Sequence, residues 1–350
     1  MSKEKQKLYN PIIDILRTIS IFAVILVHTT TRTLEASSFA LLKIPWTLFL
    51  NQIARFAVPL FFMISGFVLE LNYHLHENYL TYLKKRFSRI FIPYLFWSLI
   101  YYLFVYYKER DPNFISALLR GDASYQLYFI PALLIFYLLF PLIHNFCTYI
   151  LNKWLLIIFG LIQLYILYYD YNIHPLQLYY PIGIAVLNFY VFILGIALAR
   201  NQEKFKNFIR KWKLFLILGT VIFAIIVFYE GLNGYLKTHN YLAFYSQWRP
   251  SVLIYTILLS GVLYWIFNRK LKYLPLIKAF SRLSFFVFFI HVIVLEILWY
   301  TIGAKLFAIT NGKIAEQFWY DPLYFLAVTG ISFAIAVIIH KLPKLSKLTG

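Results

Sequence analysis

Ten long apolar stretches, separated by short polar segments, set the pattern of this chain. Each stretch is close to the roughly 20 residues that an α-helix needs to cross a bilayer. The pattern therefore predicts an all-α fold, a polytopic integral membrane bundle of about ten transmembrane helices. The stretches lie near residues 12–32, 46–69, 90–107, 126–144, 154–170, 182–199, 214–230, 250–267, 284–302 and 322–340.

The composition indicates a membrane protein along the whole length. Of the 350 residues, 61% are hydrophobic and 13% are charged, whereas soluble domains average roughly 45–50% apolar and 25% charged residues. A net charge of +19 also suits a nucleic-acid-binding protein, but the basic residues lie in short segments between the apolar stretches. We therefore expect the lipid bilayer as a partner, and no nucleic acid.

The distribution of Lys and Arg sets the orientation. With the N-terminus in the cytoplasm, 22 of the 33 Lys and Arg residues fall on inner segments, nine on outer segments and two, Arg17 and Arg55, within spans. Such an excess is typical of cytoplasmic loops. We expect a multi-pass protein of the cell membrane with one transmembrane domain over 1–350, including short cytoplasmic tails at 1–11 and 341–350.

The first apolar stretch carries Asp14, Arg17 and His28. A charged group at the centre of a membrane helix costs about 2.5–3.5 kcal/mol or more, so such residues usually have a function. The eleven positions from Arg17 to His28 place both on one helix face, about 16 Å apart along the axis. Because histidine titrates near neutrality, His28 is a candidate general base. The alternative is a hydrogen-bonded packing histidine.

A second polar group begins the third stretch on the cytoplasmic side. Arg86 and Arg89 are three positions apart and lie on neighbouring faces of one helical turn. Arginine binds phosphate through two parallel hydrogen bonds. The alternative is an anchor that contacts anionic lipid headgroups.

Three further features are weaker. In the second stretch, Pro59 predicts a bend and Ser65 with Gly66 predicts a close approach of helices. His291 is polar in the ninth stretch, and Glu296 lies on a different face of the same helix. We expect no metal site, because no histidine or carboxylate pair has ligand spacing within a span. The other histidines, in loops or at span ends, are expected to be solvated: His74, His76, His144, His174, His239 and His340.

Several of these blocks, in the same order, resemble the acyltransferase 3 family of integral membrane acyltransferases. The resemblance covers almost the whole chain. It rests on Arg17-x10-His28 with Asp14 ahead of it, on Pro59–Phe67 as a PxFFxxSGF block, on Arg86-x-x-Arg89, on Leu127–Leu134 with Tyr128 where tryptophan is commoner, on Leu194–Ala197, and on Ser284–His291.

The resemblance implies a ten-helix bundle that moves an acyl group from cytoplasmic acyl-CoA to a hydroxyl group. The acceptor in this family is usually a sugar of the cell envelope or of an exopolysaccharide. The chain resembles the stand-alone type, without the extracytoplasmic hydrolase-like domain of some relatives. It implies acyl-CoA as the donor substrate, a carbohydrate as the acceptor and no tightly bound cofactor, with acetyl as the expected acyl group and succinyl left open.

The resemblance to this family implies a role for each matching residue. His28 acts as catalytic base or as covalent acyl carrier, which the sequence does not separate. Arg17 positions the donor or stabilises charge, and Arg86 with Arg89 binds the CoA phosphates. Three other residues are expected to shape the site: Asp14, Ser65 and His291.

A different class of function, polysaccharide export, is the alternative. A transporter is expected to have a polar lumen spread over many helices. Here the polar groups within the predicted spans cluster on the first and ninth stretches and at the inner end of the third. This clustering favours a localised reactive site.

Overall fold

The computed structural model describes residues 11–36, 45–73, 78–105, 113–238, 246–268 and 274–342. Within these ranges the ordered elements are helices, and no strand occurs. The helices are α1 (Pro11–Ala36), α2 (Pro45–Ile53), α3 (Ala57–Leu71), α4 (Tyr79–Ile100), α5 (Phe114–Arg120), α6 (Phe129–Tyr149), α7 (Lys153–Asn172), α8 (Tyr180–Leu187), α9 (Phe189–Arg200), α10 (Gln202–Thr238), α11 (Pro250–Phe267), α12 (Leu274–Leu298), α13 (Ala304–Ile309) and α14 (Tyr320–Lys341).

The predicted all-α polytopic bundle is confirmed. Eight helical segments in the described ranges are long and apolar enough to cross a membrane, and α8 with α9 makes a ninth if this pair, bent by 48°, is one span. The predicted stretch 90–107 begins within α4, whose N-terminal half carries the Lys and Arg cluster. A π-helical turn at Tyr101–Val105 follows α4. Residues 106–107 of that stretch and most of both predicted tails lie outside the described residues.

The second predicted span is broken into two helices. A turn at 54–56 separates α2 from α3, and Pro59 lies in the first turn of α3. A proline has no N–H for the helical ladder and is tolerated best in a first turn. The break therefore sits just before the proline, and it places Arg55 between the two helices.

Two glycines bring α3 and α9 into backbone contact. A Cβ atom on Gly66 would overlap the carbonyl oxygen of Phe192, and a Cβ atom on Gly195 would overlap the carbonyl oxygen of Met63. Small residues allow helices in membranes to approach this closely. The predicted close approach at Gly66 is confirmed.

Helix α1 is central in the bundle. It packs against α2, α3, α11, α12 and α14, and most of its side chains are buried or half-buried. Helices α7 and α10 are largely exposed apolar helices at the periphery. Polar groups on α1 therefore face other helices, as a site within the bundle requires.

Candidate functional site

The described residues enclose a cavity of about 620 Å³ at the predicted inner end of the bundle. Side chains of α1, α3, α4, α6 and α12, with Asn72 after α3, line it. No carboxylate is among the described residues of its lining. Five of the lining residues are cationic: Arg17, Lys85, Arg86, Arg89 and Arg282.

Most of these cations form no salt bridge with a described residue. In the part of the chain that the structure describes, Arg17, Arg89 and Arg282 form no salt bridge. Arg86 donates a long hydrogen bond, 3.4 Å, from Nη2 to the carbonyl oxygen of Asn72, and its guanidinium lies 5.7 Å from the Tyr82 ring. A cavity with this excess of positive charge attracts a polyanion.

The structure thus brings Arg17, Arg86 and Arg89 to one cavity, as the sequence analysis expected of residues that bind a donor. It adds Arg282 from α12, which the sequence analysis counted only among the inner basic residues. Two serines, Ser281 just before the ninth stretch and Ser284 at its start, also line the cavity. In the sequence, these polar residues next to Arg282 at the beginning of an apolar helix could have indicated that Arg282 belongs to the site.

Asp14 lies behind the cavity and joins two of its walls. The hydroxyl of Ser281 donates a hydrogen bond of 2.6 Å to Oδ1 of Asp14, which connects α12 to α1. Thr18 donates to the backbone carbonyl of Asp14 at 2.8 Å. The bond between Asp14 and Ser281 fixes the helices that present Arg17 and Arg282.

Ser65 lines the same cavity on α3. Its hydroxyl donates to the carbonyl oxygen of Phe61 at 2.8 Å. The hydroxyl oxygen keeps its acceptor capacity, because a hydroxyl accepts through two lone pairs. Ser65 therefore shapes one wall of the cavity directly above the close contact at Gly66.

His28 lies at the other end of α1, outside the lining of this cavity. Its half-buried ring packs 4.9 Å from the Tyr125 ring and 5.3 Å from the His291 ring, measured between centroids. On α12 the last residue that lines the cavity is Phe288, one turn before His291. The Phe288 ring lies 5.7 Å from the Phe129 ring and 6.3 Å from the His291 ring, measured between centroids. Phe288 therefore lines the cationic cavity and also packs beside the histidine pair.

His291 is completely buried beside His28. Its Nδ1 lies 3.0 Å from the carbonyl oxygen of Val287. The structure thus brings together His28 and His291, two residues that the sequence analysis selected separately on different spans.

Arg55 is a polar residue of this region that the sequence analysis noted within a span without assigning it a role. It is 5% exposed and lies close enough to His28 for a Coulombic interaction. Its Nε donates to Oδ1 of Asn51 at 3.1 Å. Asn51 in turn donates to the carbonyl oxygen of Val27 at 3.2 Å. In the sequence, the presence of a charged residue within the second predicted span could have indicated that Arg55 belongs to the site.

A buried hydrogen-bond network continues from Asn51 towards the outer end. Gln52 donates to Oδ1 of Asn51 at 3.1 Å, and Nη2 of Arg249 donates to Oε1 of Gln52 at 2.5 Å. Nη1 of Arg249 lies 3.6 Å from a carboxylate oxygen of Glu230. Burial lowers the pKa of Arg249, and Tyr171 and Glu230 oppose that shift. The network holds α2 against α10 and the start of α11.

The expectation that His144 is solvated is wrong. His144 is 9% exposed, and its Nδ1 lies 2.9 Å from Oε2 of Glu70. Nε of Arg200 donates to the other oxygen of Glu70 at 2.7 Å. This three-residue cluster joins the ends of α3, α6 and α9, so position at a span end did not mean exposure.

No group of three or more His, Cys, Asp and Glu side chains is arranged to hold a metal ion in the described ranges. The polar residues near His28 are histidine, arginine, amide and tyrosine side chains.

Comparison with known proteins gives a family match and a set of relatives. A family model described as an acyltransferase domain, that of the acyltransferase 3 family, matches residues 10–341. A Staphylococcus aureus protein named "Probable poly-beta-1,6-N-acetyl-D-glucosamine export protein" is 26% identical over 308 residues, which are 84% of this chain and 82% of the relative. A Staphylococcus epidermidis protein of the same name is 25% identical over 334 residues, 91% of this chain and 88% of the relative. No solved structure matches this chain.

Proposed function

Because this chain belongs to the acyltransferase 3 family, we propose that it transfers an acyl group from cytoplasmic acyl-CoA to a hydroxyl of a cell-envelope or extracellular carbohydrate. Its place would be the cell membrane. The observation that carries the proposal is the cavity lined by five cations, with no carboxylate among the described lining residues. The expected acyl group is acetyl, which makes the reaction an O-acetylation.

The cavity suits a donor with both phosphates and an apolar arm. Its volume of about 620 Å³ lies within the roughly 300–1,000 Å³ of small-molecule sites. Arg86, Arg89 and Arg282 would hold the phosphates, and Arg17 would contact the donor further into the membrane.

The rings of Phe129 and Phe288 line the end of the cavity nearest His291. In the proposed reaction, the acyl group must pass these two rings to reach His28.

In the first route, His28 acts as a general base. A ring nitrogen of His28 takes the proton of the acceptor hydroxyl, and the oxygen attacks the thioester carbonyl carbon. A C–O bond forms and the C–S bond breaks. The proton then moves from His28 to the thiolate, which leaves as CoA. Tyr125, packed on His28, is 44% exposed, so an acceptor could reach this end of the bundle from its surface.

In the second route, His28 carries the acyl group. A ring nitrogen attacks the thioester carbon, an N–C bond forms as the C–S bond breaks, and CoA leaves as the thiolate. The acceptor hydroxyl then attacks the acyl-imidazolium, the N–C bond breaks, and the hydroxyl proton passes through water to the thiolate. Both routes consume one acyl-CoA and one hydroxyl group and need an unprotonated nitrogen on His28. Trapping of an acylated enzyme without acceptor would distinguish the second route from the first.

The test is transfer of label from radioactive acetyl-CoA to the glycan fraction of membranes that contain the protein, with succinyl-CoA in parallel. We expect transfer by the wild type and by His174→Ala, since His174 is exposed, and none by His28→Ala. Normal transfer by His28→Ala, at normal membrane levels, would contradict the assignment of His28. Transfer with succinyl-CoA alone would keep the mechanism and change the donor.

The names of the relatives favour a second candidate, polysaccharide export. In that case purified protein in vesicles should move unmodified poly-β-1,6-N-acetylglucosamine across the bilayer without acyl-CoA. His28→Ala should then leave transport intact. Transport that requires acyl-CoA and His28 would favour acyl transfer instead.

A further inference from the structure

Nε2 of His291 is a buried polar atom without a partner. The His291 side chain is 0% exposed, and Nε2 forms no hydrogen bond with a described residue. An unpaired buried polar group costs about 1–3 kcal/mol. Most buried polar side-chain atoms in folded proteins are paired, so this atom requires an explanation.

The other ring nitrogen fixes the hydrogen-bonding character of Nε2. Nδ1 of His291 lies 3.0 Å from the carbonyl oxygen of Val287. A carbonyl oxygen only accepts, so Nδ1 carries the hydrogen. In the neutral ring Nε2 then holds a lone pair and acts as an acceptor.

His28 is placed to supply the missing donor. The two ring centroids are 5.3 Å apart with an angle of 33° between the ring planes, and His28 forms no hydrogen bond with the described residues. An N–H···N bond with its heavy atoms about 3 Å apart puts the centroids of two imidazoles that meet edge to edge roughly 5 Å apart. The separation of the two rings therefore matches the one that this hydrogen bond requires.

We propose that His291 is a positioning residue, whose Nε2 accepts a hydrogen bond from one ring nitrogen of His28. This bond fixes the tautomer of His28 in which the other nitrogen is unprotonated and faces the substrates. The inference rests on the proposed acyl transfer and assigns to His291 the role that an acceptor behind a catalytic histidine has in hydrolases.

The proton balance follows from this arrangement. The nitrogen of His28 that faces the substrates receives the proton of the acceptor hydroxyl and passes it to the thiolate sulfur of CoA. The N–H that points to His291 stays in place throughout. In the covalent route the same free lone pair attacks the thioester carbon, and the hydrogen bond to His291 is again unchanged.

Two substitutions test the role kinetically. Glutamine retains an acceptor oxygen, whereas leucine fills a similar volume without one. For His291→Leu we expect kcat to fall about 100-fold or more, the effect of losing a positioned acid–base group, with KM for acyl-CoA unchanged because the cationic cavity binds the phosphates. His291→Gln should keep a clearly higher kcat than His291→Leu. Equal losses in both variants, at equal melting temperatures, would overturn the proposal, as would wild-type kcat in His291→Leu.

A spectroscopic readout separates this inference from the proposed function. In protein labelled with ¹⁵N-histidine and placed in lipid nanodiscs, the His28 signals are those that His28→Asn lacks. We expect one His28 tautomer in the wild type and a mixture of two in His291→Leu. An unchanged tautomer population would overturn the positioning role. The expected change, in a protein that transfers no acyl group, would uphold the hydrogen bond and reject the proposed function.

Discussion

At the scale of single residues, two basic side chains one turn apart on one helix have different surroundings. Arg282 lines the cavity, whereas Lys278, one turn earlier on α12, does not and is exposed. From the sequence, both are basic residues of a segment that is predicted to lie on the cytoplasmic side. Only the arrangement of α12 against α1 and α4, which Asp14 and Ser281 help to hold, distinguishes a ligand-facing cation from one at the surface.

Replacement of Arg282 should weaken donor binding. Arg282→Gln removes a charged donor from the cavity, and hydrogen bonds to charged groups contribute about 1.5–3 kcal/mol. We expect KM for acyl-CoA to rise about tenfold or more with little change in kcat. The measurement is transfer as a function of acyl-CoA concentration, with Lys278→Gln as control. Equal KM values in the two variants would remove Arg282 from the donor site.

The sequence predicted some features of the site and missed others for physical reasons. Helix periodicity places Arg17 and His28 on one face, because this depends only on spacing along α1. It does not show that Phe288 lines the cavity and packs beside His291, or that Phe129 packs on Phe288, since those rings come from α6 and α12. Their positions depend on contacts between helices that are distant in sequence.

At the scale of elements, a polar cluster joins the ends of three helices. Apolar packing alone would define the relative positions of these helix ends less specifically. Glu70 on α3 pairs with His144 on α6 and with Arg200 on α9. Single-sequence patterns gave no sign of this cluster, because its three members are far apart in the chain. Because the Glu70 cluster is largely buried, we expect it to contribute more to stability than an exposed ion pair on the same protein.

Removal of Glu70 should destabilise the bundle. Glu70→Ala leaves Arg200 and His144 without their carboxylate in a largely buried setting, and breaking such a pair costs about 3–5 kcal/mol. Glu203→Ala removes an exposed carboxylate 3.8 Å from Lys206, where a salt bridge contributes at most about 1 kcal/mol. Thermal unfolding in detergent should show a clear decrease in melting temperature for the first variant only. Similar melting temperatures would mean that the Glu70 cluster adds little stability.

The contact of α3 with α9 should not tolerate a methyl group. Gly66→Ala places a Cβ atom against the carbonyl oxygen of Phe192, and overpacking costs about 1–3 kcal/mol. The matched control is Gly330→Ala on α14, where a Cβ atom would have no neighbour within 4 Å. We expect lower stability and lower transfer for Gly66→Ala, measured as melting temperature and turnover. A fully stable, active Gly66→Ala protein would show that the two helices can separate without loss.

At the scale of the whole molecule, the two ends of the bundle differ in charge. The cationic cavity lies at the end predicted to be cytoplasmic. The opposite end carries the Arg249 network and an ion pair between Arg32 and Glu296, 3.3 Å apart. The proposed reaction requires this polarity, because the donor is made inside the cell and the acceptor lies outside.

Cysteine labelling in intact cells tests the orientation. In a Cys147→Ser background, Phe318→Cys probes an exposed position before α14 and Lys153→Cys probes the start of α7. A membrane-impermeant maleimide should label the first variant in intact cells and the second only after permeabilisation, because the Lys and Arg distribution places residue 153 inside. The reverse pattern would place the cavity outside and exclude cytoplasmic acyl-CoA as the donor.

The cationic cavity also has a consequence for the empty protein. Like charges that share a cavity repel one another, so mobile anions of the cytosol should collect there when no donor is bound. Donor binding then becomes an ion exchange, in which CoA displaces chloride or inorganic phosphate. Its apparent affinity should weaken as ionic strength increases. Under the proposed function, the protein would respond to the cell's balance of small anions as well as to its acyl-CoA.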